Sequence, residues 1–243
     1  MRMMTFARRC AREILRDPVN MGFGLGFPLV LLVLLSAIQA NIPVNLFDIA
    51  NLAPGLTVFG MAFLALFSAT LIARDRESAF LQRLYTTPLT GADFVLGYML
   101  PLLPMALGQS AVCYLAAIPL GLQPGWSTLA AILGNMPMAV FYIALGLLCG
   151  SVLGVKQVGG ICGALLTNLT AWLSGVWFDL DLVGGAFARA AELLPFKHAV
   201  DMAKALLAGN MDAVAAHLPV VVIYAAVTTV AAVLIFLRQK RGQ

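Results

Sequence analysis

The stretch ARDRESAFLQRLYTTPLTGADF, residues 73–94, gathers six charged residues between two long uncharged runs. Upstream, residues 52–73 carry no charge, and downstream none occurs between Phe94 and Val155. An apolar run of about 20 residues is the length a helix needs to cross a bilayer core, at about 1.5 Å of rise per residue. Charges are costly in hydrocarbon, so this block marks a place where the chain has left one crossing and has not yet begun the next.

The rest of the chain has the same character. Of its 243 residues 61% are hydrophobic and 11% charged, and the mean hydropathy is +0.94. These values are far more apolar and less charged than a soluble domain averages, so they predict an integral membrane protein. Working outward from the charged block, the apolar runs fall at 20–40, 52–73, 157–178 and 218–237. The charge-free region between them is broken by PLGLQPGWS, residues 119–127, into runs at 95–118 and 128–153. The expectation is an all-α membrane protein, one transmembrane domain over 1–243 with six transmembrane helices.

An even number of crossings places both termini on one side, and basic residues stay cytoplasmic. Arg2, Arg8, Arg9, Arg12 and Arg16 precede the first run; Arg74, Arg76 and Arg83 fall in the charged block; Lys156 lies between the fourth and fifth runs; Arg238, Lys240 and Arg241 close the chain. These are twelve of fifteen, and only Arg189, Lys197 and Lys204 fall opposite. Both termini and residues 73–94 are therefore expected in the cytoplasm, with the chain in a bacterial cytoplasmic (inner) membrane. Topology also accounts for the net charge of +4 and pI near 9.0, which leaves no need for a nucleic-acid partner. The first run is longer than a signal-peptide core, and Ile38 does not fit a small-residue cleavage pattern, so it is read as retained. Cys10, Cys113, Cys149 and Cys162 lie in the cytoplasmic segment or within runs, where packing is their expected role.

Residues 1–18 are amphipathic. Met3, Phe6, Ala7, Cys10, Ala11, Ile14 and Leu15 follow helical spacing, with Arg8, Arg9, Arg12, Glu13 and Arg16 on the rest of the wheel. Such a helix is expected to lie in the headgroup region, apolar side on lipid, until Pro18 ends it. Gly146, Gly150 and Gly154 recur every four residues in the fourth run, and Gly159 and Gly163 continue the spacing, a pattern that lets helices approach closely. Phe59, Phe63 and Phe67 form a stripe at i, i+4, i+8 in the second run, while Thr167, Asn168, Thr170 and Ser174 make the fifth the most polar. Residues 179–216 read as two short amphipathic helices, broken at Pro195 and stopped by Gly209, dipping part way back into the bilayer as re-entrant exit helices.

What is missing narrows the function. No ionisable residue falls inside the six runs, whereas ion-coupled transporters place such groups at membrane depth. No G-x-x-x-x-G-K-[ST] stretch cradles a phosphate, and GVKQVGG lacks its end. Nucleotide energy, if used, comes from another subunit. Ser174 and His217 both fall near ends of runs, but neither an oxyanion motif nor an orienting carboxylate accompanies them as a catalytic dyad. No cluster has metal-ligand spacing.

DRESAFLQRLYTT within the opening stretch has helical composition and ends at Pro88, giving a short helix across the cytoplasmic mouth, suited to a cleft on a soluble partner. RDRESAFLQRLYTTPLTGADFVLGYMLP resembles the coupling segment of type-2 ABC exporter permeases. EILRDPVNMGFGLGFPLVLLVLL resembles that family's approach and first span, and SGVWFDLDL followed by LLPFKHAVDMAKALLAGN resembles the end of its fifth span and its exit helices. The sequence departs from the family at Ser78 and Ala79, where Gly often follows the Glu, and it lacks the large disulfide-bearing exit loop of the ABCG-like relatives.

The resemblance implies a permease subunit of an exporter of lipophilic or amphipathic cargo: drug, antibiotic, peptide-like compound or lipid. It is not catalytic alone and holds no cofactor itself; ATP and Mg belong to two copies of a partner ABC ATPase subunit. A second permease chain, as homodimer or heterodimer, completes the complex. The resemblance assigns Arg74, Arg76, Glu77, Arg83, Thr87 and Pro88, within the 74–93 segment, to coupling, and Phe59, Phe63, Phe67, Asn168 and Trp172 to the substrate path. A non-transporting assembly or sensor subunit and a secondary transporter are the rival readings.

Overall fold

The computed structural model describes residues 2–43, 47–78, 80, 84, 90–178 and 180–241, and every regular element among them is helical. In order they are α1 (Arg2–Leu15), α2 (Pro18–Gln39), α3 (Ile49–Glu77), α4 (Gly91–Met99), α5 (Leu102–Ala117), α6 (Trp126–Gly134), α7 (Met136–Val152), α8 (Val155–Val158), a π-helical stretch (Gly159–Leu165), α9 (Leu166–Leu173), α10 (Leu180–Val183), α11 (Gly185–Leu193), α12 (Pro195–Ala208) and α13 (Met211–Arg241).

Five of these helices or helix pairs are long and apolar enough to cross a membrane: Pro18–Gln39, Ile49–Glu77, Gly91–Ala117, Trp126–Val152 and Met211–Lys240. With no water in a bilayer core, a helix that bonds its own backbone is the element able to cross it. The run expected as a fifth crossing takes another form. From Val155 to Leu173 it passes through a four-residue α turn, seven π-helical residues and an eight-residue α-helix. Gly159, Gly160 and Gly163 fall in the wound-out part, where weak helix propensity tolerates an extra residue per turn.

Helix α3 is the axis of the bundle. In its most apolar window 89% of residues are buried, against 22% in α2 and in α13, so those two present most of their surface outward. The closest approach is between α3 and α7. A Cβ at Gly146 would lie 2.7 Å from Ala65 Cα, and one at Gly150 2.8 Å from Ala69 Cα. Small residues on both helices thus let their backbones touch, and Ser68 Oγ donates across the seam to Ile143 O at 3.0 Å. A Cβ added at Gly159 would meet nothing within 4 Å and one at Gly163 would lie 3.5 Å from Leu66, an ordinary contact, so the glycine spacing continues in sequence beyond its use in this seam.

At one end, Thr90 and Asp93 form a capping box that starts α4, and Phe94 stacks on Phe236 of α13 with centroids 3.8 Å apart. At the other, α11 and α12 break at Leu194–Pro195, and Gly209 ends α12 at φ +71, a left-handed stop that glycine adopts without strain. Phe196, Ala199, Val200, Met202 and Ala203 of α12 are buried, and Tyr224 of α13 donates to Leu193 O at 2.7 Å.

Helix α1 is packed on the bundle over part of its apolar face. Phe6, Ala7 and Cys10 are buried against α4, where Phe6 meets Tyr98 edge-on at 4.8 Å and Phe94 at 6.0 Å, while Leu15 of the same face is exposed. Gly97 makes room for the Phe6 ring, since a Cβ there would lie 3.0 Å from Phe6 Cε1.

Candidate functional site

Four of the five residues assigned to the path share one open cavity of about 560 Å³: Phe59 and Phe63 from α3, and Asn168 and Trp172 from α9. Phe23, Phe27 and Leu31 of α2, together with Trp177, complete its aromatic wall. The rings interlock edge to face, with Phe27–Phe63 at 5.6 Å, Phe59–Phe63 at 6.1 Å and Phe59–Trp177 at 6.0 Å. Edge-to-face contact favours each pair by about 0.5–1.5 kcal/mol beyond area burial, so the wall is held in shape. Among the described residues no charged one lines it. Asn168 donates through Nδ2 to Ala164 O at 2.8 Å, which leaves its carbonyl oxygen as an acceptor for a bound molecule.

Phe67 lies elsewhere. One turn further along α3 it lines a cavity of about 30 Å³ with Glu13, Asp17, Met21, Met105 and Arg74, and it closes over Gly24. The aromatic stripe therefore divides between two environments. Phe23 and Phe27 were missed in the sequence, although Phe23, Phe27 and Leu31 repeat at i, i+4, i+8 in step with the stripe on α3.

The other set of assigned residues lies at the end of α3. Arg76 donates to Ser151 O and, at 2.7 Å, to Leu153 O, while Glu77 Oε1 accepts from Val155 N at 3.0 Å. Both side chains thereby hold the turn between α7 and α8. Arg74 pairs with Asp17 at 3.4 Å, at the start of α2. Arg83, Thr87 and Pro88 lie outside the described residues.

The most enclosed charge contact at this end was not read from the sequence. Arg9 of α1 grips Asp75 of α3 with two parallel bonds of 2.6 and 2.5 Å, and Tyr98 donates to the same carboxylate at 2.6 Å. Asp75 is 3% exposed at its side chain. The Arg9 guanidinium lies 3.9 Å from the centroid of Phe80 and 3.0 Å from Glu13. Its hydrogen bonds to Asp75, opposed by partial burial, hold its pKa above the ordinary value. One carboxylate thus joins α1, α3 and α4, with Phe80 of the charged block against the same arginine.

Ser174 and His217 have separate partners. Ser174 Oγ donates to Ala171 O at 3.4 Å, whereas His217 Nδ1 is hydrogen-bonded to His198 Nδ1 at 2.9 Å. Among the described residues no group of three or more His, Cys, Asp or Glu side chains is placed to hold a metal.

A bundle of helices long and apolar enough to cross a membrane, with an apolar cavity beside its central helix and a polar junction at one end of it, is of integral membrane type. The chain belongs to the ABC-2 type transporter family, whose model matches residues 1–208. Members are membrane subunits of transporters, not themselves catalytic, and typically pair with an ATPase subunit. The chain is also similar to a candidate transport permease, ycf38, of Porphyra purpurea, with 38% identity over 87 residues. That alignment covers 34% of this chain and 30% of the relative, so it spans less than a third of the relative's length.

Proposed function

We propose that this permease is the membrane-spanning subunit of an ATP-driven exporter, moving lipophilic or amphipathic molecules from the cytoplasm or inner leaflet through the cavity between α2, α3 and α9. The observation that carries this reading is the cavity itself: about 560 Å³, walled by aromatic rings and free of lining charge. Apolar pockets of about 300–1,000 Å³ with few polar groups suit molecules recognised by shape and hydrophobicity. In this reading Val155–Leu173 is also a crossing, the fifth of six in chain order, and both termini face the cytoplasm of a bacterium. Two permease chains, identical or not, enclose the path, and two ATPase subunits dock at the end where α1 and α3 meet.

The contacts of Arg76 and Glu77 give the coupling a route. A displacement of the 74–93 segment acts on α3 and, through the 151–155 turn, on the helix that carries Asn168 and Trp172. ATP closure of the partner subunits then moves both walls of the cavity together, and hydrolysis returns them.

The test is cargo-stimulated ATPase activity of the permease reconstituted with its ATPase. Glu77→Ala should abolish stimulation by an amphipathic drug while the complex still assembles. Unchanged stimulation removes Glu77 from coupling. Labelling of a cysteine placed at Gln82 by an impermeant reagent added outside intact cells reverses the orientation and with it the reading. Flux that follows a proton gradient without ATP replaces the exporter with a secondary transporter.

A further inference from the structure

A second cavity, of about 480 Å³, opens at the end of α3 remote from α1, and Trp177 lines both it and the aromatic cavity. The turn that places this ring depends on Gly175, whose φ of +70 a side chain would disfavour, and on Gly55, against which Val176 packs. The two spaces therefore share an indole wall. Their linings differ: the first has no charged residue, whereas Lys197, Asp201 and Lys204 of α12 all face the second, opposite Phe47 and Leu182.

The charge balance of this end gives the contrast a meaning. Segments 41–51 and 174–217 contain six acidic residues, Asp48, Asp179, Asp181, Glu192, Asp201 and Asp212, and three basic ones, Arg189, Lys197 and Lys204. By sequence these segments are net negative. Two of the three cations of these segments nevertheless line one cavity, with Asp201 the carboxylate among its described lining residues. Spacing of i, i+4 and i+7 puts Lys197, Asp201 and Lys204 on one face of α12. Lys197 reaches Glu192 at 3.7 Å across exposed surface, a contact of small energy. Lys204 has no ion pair among the described residues.

From this we infer that the second cavity is a binding subsite for the anionic group of an amphipath whose apolar body occupies the aromatic cavity, so that the cargo is an acidic amphiphile bearing a carboxylate, sulfonate or phosphate. The inference rests on the proposal that the aromatic cavity is the cargo path, and it specifies the cargo's charge. Apolar surface in the aromatic cavity supplies most of the affinity, and the lysines select the sign of the head.

The experiment measures binding of 11-(dansylamino)undecanoic acid, its methyl ester and the corresponding primary amine to the full chain in nanodiscs of zwitterionic lipid, each referenced to protein-free discs. The acid should bind roughly three- to tenfold more tightly than the ester, the scale of one or two partly exposed charge contacts, and the amine more weakly than either. Lys197→Gln with Lys204→Gln should bring the acid to the level of the ester while ester binding is unchanged. Asp201→Asn should tighten the acid further, a change of opposite sign that a loss of structure does not produce, and Lys197→Arg with Lys204→Arg should keep the preference. Equal affinity for acid and ester in the native chain overturns the anionic subsite while leaving the aromatic cavity as a path. Failure of all three probes to bind overturns both.

Discussion

Replacing Arg9 by Met should release α1 from the bundle, and Cys10 reports that release. Cys10 is fully buried on the inner face of α1, and burial pushes its thiol up to about 12, so in the docked helix it is inert to maleimides at neutral pH. The substitution leaves the Asp75 carboxylate, 3% exposed, with the Tyr98 hydroxyl as its remaining donor. Breaking a buried pair from one side costs about 3–5 kcal/mol, and because Arg9 is 36% exposed, screening reduces that to about 2–3 kcal/mol. With opening fast relative to labelling, the rate follows the open population, so Cys10 should react roughly 30- to 150-fold faster with N-ethylmaleimide than in the parent chain. The assay uses a background in which Cys113, Cys149 and Cys162 are alanine. Asp75→Asn should cost less, about 1–2 kcal/mol, because Arg9 turns to water and Tyr98 still donates to the amide oxygen. The double variant should label more slowly than Arg9→Met, since no bare carboxylate remains. If Arg9→Met labels within threefold of the parent, or no faster than Asp75→Asn, the junction is not what holds α1.

The same thiol gives a pH dependence. Its docked pKa, about 12, is raised by burial above the ordinary 9.0, so docking of α1 keeps its full contribution below pH 9 and loses it as pH rises toward 12; Cys10→Ser or Cys10→Ala should flatten that alkaline loss in the melting of the purified chain. Gly150→Ala should lower the melting temperature, because its Cβ meets the Ala69 backbone and overpacking costs about 1–3 kcal/mol, whereas Gly159→Ala, with nothing within 4 Å, should leave it unchanged or raise it. Phe63→Ala should weaken binding of the uncharged dansyl ester several-fold by removing the ring against which Phe27 and Phe59 pack, with no change in its acid-to-ester ratio.

The crossings were legible where hydropathy and helix length give the same answer, as in Pro18–Gln39 and Met211–Lys240. They were less so around Gly159, because hydropathy measures apolarity and is silent on how a glycine-rich run winds. The amphipathic pattern of residues 2–15 fixed which face of α1 is buried, and that much is a property of the segment itself. What buries it is not. A lipid surface and the α4 face, with Gly97 cut back to receive Phe6, present the same apolar demand to the sequence.

The site divides along a similar line. Phe59 and Phe63 could be read as a wall because they sit on one helix at a fixed spacing, and Phe67 departs because, one turn further along α3, it packs against Gly24 of α2 and lines a separate cavity with Met105. Asp75 had no such local signature. Its partners are 66 positions away at Arg9 and 23 away at Tyr98, and charge pairing between remote segments carries no period. A physical hint was nonetheless present: Asp75 lies two positions past an apolar run of crossing length, flanked by Arg74 and Arg76. Arg76 turns to the α7–α8 turn and Arg74 to Asp17, so neither compensates the carboxylate, and a cation from elsewhere must. The first turn of the block is thus charged for a reason of the bundle's own: Asp75, Arg76 and Glu77 tie the end of α3 to α1, α4 and the α7–α8 turn.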